Sequence, residues 1–87
     1  MNYEELNVIV EELISSKRSV LDFKDKKVAY IKAIGRQFAI KYKHVVDKDS
    51  QEANNYLSIL IEIRTLVKSK LKMNDTLMNR FKQENNY

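Results

Sequence analysis

From Asp22 to Lys72 the chain runs through two long apolar-periodic stretches without a proline, parted only by Asp47-Lys48-Asp49-Ser50. With no proline and a single glycine in 87 residues, it lacks the punctuation that β-hairpins and tight turns need. Helices are what such a pattern can form. The length suits one domain, residues 1–87, with a modest core. A hydrophobic content of 44% is ordinary for a globular chain and argues against disorder.

The first helix is expected over Tyr3 to about Ser16. Leu6, Ile9, Val10, Leu13 and Ile14 fall on one arc, with Glu4, Glu5, Glu11 and Glu12 outside it. Ser15-Ser16 weakens the pattern, and residues 17–22 read as a turn or irregular link. The second helix is expected from about Phe23 to Val46, with Asp22 or Asp25 as N-cap. Phe23, Ile31, Ile34, Phe38, Tyr42 and Val45 share its apolar face, and Lys32, Arg36 and Lys43 lie opposite. Gly35 sits mid-helix at a cost of about 1 kcal/mol relative to alanine, which suggests close approach by a neighbouring helix.

Asp49 or Ser50 is the expected cap of a third helix over Gln51 to Lys72, Asp49 and Glu52 having capping-box spacing. Its apolar residues cover more than half the circumference, which makes it the expected centre of the bundle. A strand over Leu57 to Ile63 is the rival; helix-period neighbours and the lack of turn residues decide against it. Helices 2 and 3, each about 33–36 Å long, should form an antiparallel hairpin. Asn74-Asp75 then reads as a break, followed by a fourth helix over Thr76 to about Gln83 and a frayed tail, Glu84 to Tyr87. The expected fold is thus all-α, an antiparallel four-helix bundle with a short fourth helix.

Charge is unevenly spread around a net +4. Residues 1–16 carry −4, residues 17–48 carry +7, residues 49–63 carry −3 and residues 64–87 carry +4. Either the acidic first helix neutralises the basic second one, or a basic face is left for an anionic partner. The ridge Lys32, Arg36 and Lys43 could serve nucleic acid, an acidic protein or the anionic inner leaflet of a membrane. No helix-turn-helix spacing or aromatic interleaving singles out nucleic acid.

No catalytic set is readable. Without cysteine there is neither a thiolate nucleophile nor a Cys-type zinc site. His44 lacks an orienting acid and nucleophile, and suits the carbonyl end of helix 2 better. Glu4-Glu5 and Glu11-Glu12 are adjacent pairs that diverge on a helix, so neither forms a facing dyad. Glycine-rich phosphate loops and metalloprotease motifs are absent, which points to a non-enzyme with no cofactor. Arg64 falls inside the apolar arc of helix 3, where it must reach the rim, pair with Glu11 or Glu12, or bind a ligand. No apolar run approaches the roughly 20 residues that cross a bilayer, and Met1-Asn2-Tyr3-Glu4-Glu5 is unlike a secretory signal, so a soluble cytoplasmic protein is expected.

The stretch Leu60 to Lys82 resembles the end of enterocin-A-type bacteriocin immunity proteins. There a long third helix ends in a basic residue and an apolar step, here Lys70-Leu71-Lys72-Met73. A polar break follows, here Asn74-Asp75, then a short helix with Leu77, Met78 and Phe81 inside. Leu6 to Ile14 and Val28 to Val46 are similar in order and length to the family's first two helices. The resemblance implies protection from pediocin-like pore-forming peptides, exerted at the membrane-embedded sugar transporter that serves as their receptor. It places the partner-binding surface on Leu77, Met78, Arg80, Phe81, Lys82 and the tail to Tyr87. The alternative is a small helical adaptor or regulator from a mobile element, binding a host protein or DNA; a homodimeric bundle is a third option.

Overall fold

A computed structural model describes the backbone of residues 1–85 and the side chains of residues 1–72. Within them the chain is all-α, with helices α1 (Tyr3–Ile14), α2 (Val28–His44) and α3 (Gln51–Asn85), and a single 3-10 turn at Val20–Phe23.

Local caps set both ends of α1, the end of α2 and the start of α3. Asn2 caps α1, its Oδ1 accepting from the Glu5 N–H at 2.8 Å, and Glu4 and Glu5 suit the positive end of the dipole. The helix stops at Ile14, two residues before the expected end, because Ser16 turns left-handed at φ 62°. The Lys17 N–H then bonds Glu12 O at 2.9 Å and the Ser16 N–H bonds Leu13 O at 3.3 Å, a Schellman closure. The expected irregular link, residues 17–22, runs into the 3-10 turn, which extends one residue further to Phe23 and is held by the Ser19 N–H on Asp22 Oδ2 at 2.9 Å.

That bond corrects the start of α2. Asp22 closes the 3-10 turn instead of capping a helix, and Phe23 belongs to that turn. α2 begins only at Val28, behind Lys27, which makes no side-chain cap. Its C-terminus is closed by Lys48, whose ammonium reaches the carbonyls of Tyr42 and Lys43 and lies 4.4 Å from the Tyr42 ring centroid. At α3 the cap is Ser50, whose Oγ accepts from the Ala53 N–H at 3.1 Å. Glu52 does not complete the expected box with Asp49; its carboxylate takes the Tyr56 hydroxyl at 2.9 Å.

The largest correction is at the C-terminus. The expected break at Asn74-Asp75 and the separate helix from Thr76 are not found, because α3 is continuous from Gln51 to Asn85. Asn and Asp are weak helix formers, each costing less than about 0.7 kcal/mol, and neither glycine nor proline follows to stop propagation. The hairpin is therefore unequal: 17 residues of α2 against 35 of α3.

The core lies where the three helices and the 3-10 turn meet. Phe38, Ile31 and Ile34 of α2 are its most enclosed side chains, joined by Ile9, Val10 and Leu13 from α1. The 3-10 turn adds Val20 and Phe23, and α3 adds Ile59, Leu60, Ile63 and Val67. The apolar arc of α3 is narrower than expected, since Ile61 is about half exposed and Leu57 only partly buried. Lys70 ties α3 to the end of the 3-10 turn, its ammonium donating to Lys24 O at 2.6 Å.

Candidate functional site

The site begins with Gly35. Mid-helix glycine is unfavourable, yet here it sits against Ile63 so closely that a Cβ would lie 2.9 Å from Ile63 Cγ2. This close seam sets the register of α2 against α3 and brings two basic ridges level. On α2, Lys32 and Arg36 project one helical turn apart; on α3, Arg64 and Lys68 do the same. Between the ridges runs an open groove of about 370 Å³ whose floor is Gly35, Ala39, Leu60, Ile63 and Val67. Among the described residues no acidic side chain lines it, and α1 contributes nothing to it.

All four cations are exposed, and none has an ion-pair or hydrogen-bond partner among the described residues. Among the described residues no ion pair joins the acidic first helix to the basic second one; Glu12 pairs instead with Arg18 of the link that follows α1, its Oε2 accepting from Arg18 Nε at 2.6 Å. Arg64 reaches the rim and pairs with neither Glu11 nor Glu12. Four like charges around an apolar floor can attract an anion and give apolar contact to whatever carries it.

The structure gathers only part of the expected basic face. Lys32 and Arg36 line the groove, whereas Lys43 is exposed beyond it. Lys68 was missed, and Arg64 was read singly. The signal that would have found both was the four-residue spacing of Arg64 and Lys68, registered across the glycine against Lys32 and Arg36. The side chains of Leu77, Met78, Arg80, Phe81, Lys82 and Tyr87, the surface placed by resemblance, lie outside the described residues.

No protein-family model, curated protein or solved structure matches this chain. Its functional reading therefore rests on the residues themselves.

Other surfaces are less organised. His44 is exposed beside Ile40, Lys41 and Val45, and no group of three His, Asp or Glu that could hold a metal occurs among the described residues. A second shallow groove, between the 3-10 turn and α3, exposes Leu21 and Ile61 beside Leu66. Around Tyr56 the polar chemistry is local. Its bond to Glu52, burial, and the negative charges of Glu52 and Glu11 raise its phenol above the ordinary 10.0. Among the described residues, no helix is long and apolar enough to cross a membrane.

Proposed function

We propose that this chain acts by binding rather than by catalysis, and that the α2–α3 groove is its contact surface for an anionic partner. The observation that carries the reading is the set of four cations, Lys32, Arg36, Arg64 and Lys68, unpaired among the described residues, around an apolar floor.

The specific form we propose is a cytoplasmic bacteriocin immunity protein acting at a membrane-embedded sugar-transporter receptor with its bound peptide. The order of the first two helices and the basic face toward an anionic inner leaflet support it. The continuous α3 takes away one support, because the resemblance drew partly on a break at Asn74-Asp75. The working surface accordingly shifts toward the groove. Expression in a strain sensitive to pediocin-like peptides should protect it, and K32E/R36E/R64E/K68E should abolish protection while keeping the helical signal. Protection against no peptide in the panel refutes the immunity reading.

The same cations favour a second reading, a small adaptor or regulator binding DNA or an acidic host protein. Binding to duplex DNA should then weaken steeply with salt, losing roughly one power of salt dependence for each phosphate contact removed.

A further inference from the structure

We propose that the basic groove of one molecule seats the outer face of α1 from a second copy, joining molecules head to tail. The groove calls for a helix with a small apolar ridge flanked by acids. This chain's own C-terminal stretch has apolar residues but also brings Arg80 and Lys82, like charges against four cations. Residues 1–16 have the opposite character, four acids and no base. At 100° per residue Val8 centres the solvent face of α1, with Glu4 and Glu11 on one flank and Glu5 and Glu12 on the other. Val8 is 55% exposed, and Glu4, Glu5 and Glu11 form no salt bridge among the described residues.

An intramolecular version is closed off. α1 spends Ile9, Val10 and Leu13 on its own core, and none of its residues lines the groove. Acidic ridge and basic groove are different patches of one molecule, so the contact is heterologous and propagates as chains or rings. One helix face in one groove is a small interface, so the association is weak, transient and screened by salt. It rests on the reading of the groove as a contact surface for an anionic partner, and does not depend on whether that partner is met in bacteriocin immunity.

Sedimentation of the purified full chain tests this. At low salt the mass should rise with concentration, and moderate salt should reverse the rise. K32E/R36E/R64E/K68E reverses the groove while keeping the rim-to-rim repulsion it already has; E4K/E5K/E11K reverses the helix and leaves Glu12 with Arg18. Each variant alone should be monomeric, and an equimolar mixture should associate again because each reversed surface meets its complement. As a geometric check, V8C and A39C variants should cross-link to each other, in a chain that otherwise has no cysteine. Circular dichroism verifies that each variant is helical, and the cysteine pair decides the matter if a charge variant unfolds. A wild type that stays monomeric at low salt, or a mixture that fails to associate while both variants are folded, overturns the proposal. So does a monomer whose groove instead binds phosphatidylglycerol vesicles in a manner lost in the groove variant.

Discussion

Gly35 and Ile63 form a close seam between α2 and α3: a Cβ on the glycine would come within 2.9 Å of Ile63 Cγ2. That methyl belongs to a buried, β-branched side chain with one strongly preferred rotamer, so it cannot swing aside cheaply. Gly35→Ala therefore sets a helix-propensity gain of about 1 kcal/mol against an overpacking cost of about 1–3 kcal/mol. A net loss of stability is expected in thermal or urea unfolding. In an Ile63→Ala background the same glycine change should become neutral or stabilising.

Ser16 should respond in the opposite sense. It holds a left-handed conformation, φ 62°, that costs a non-glycine residue about 1 kcal/mol. Ser16→Gly should stabilise the protein by roughly 0.5 kcal/mol after the glycine's own entropy loss is counted. An increase in Tm checks it.

Tyr56 gives a pH signature. Its phenol is raised above 10.0 first by the bond to Glu52, then by burial and by the charges of Glu52 and Glu11. A raised pKa stabilises the neutral form, so this contribution is complete below the unfolded value near 10 and fades as pH climbs through the higher folded one. An absorbance titration should show one late-ionising phenol that vanishes in Tyr56→Phe. Glu52→Gln should move it back toward the ordinary value.

Phe38 is wholly enclosed and lies 6.3 Å, centroid to centroid, from Tyr56. Phe38→Ala should cost about 3–5 kcal/mol, a large share of what a domain of this size has. Urea unfolding should show it as a lower midpoint, or as a chain already unfolded in buffer.

Helical class, the apolar face of α1, the Ile31, Ile34 and Phe38 part of the α2 face and the purpose of Gly35 were legible because periodicity and a single costly glycine are strong local signals. The start of α2 was not. Asp22 had two chemically equal uses, and the choice fell to whichever backbone could also bury Val20 and Phe23. Asn74-Asp75 misled because weak helix formers resemble a break, although they lack the glycine or proline that would enforce one. Half of the groove was visible as Lys32 and Arg36. The other half needed the inter-helix register, which a contact 28 residues distant in sequence, Gly35 to Ile63, decides.

Retention on immobilised heparin tests most directly whether the groove cations act as one anion-attracting unit. R36E/R64E and a control pair outside the groove, K24E/K26E, lower the net charge from +4 by the same amount. The groove pair should elute at clearly lower salt than the control. Equal elution of the two variants would contradict a working surface at the α2–α3 seam.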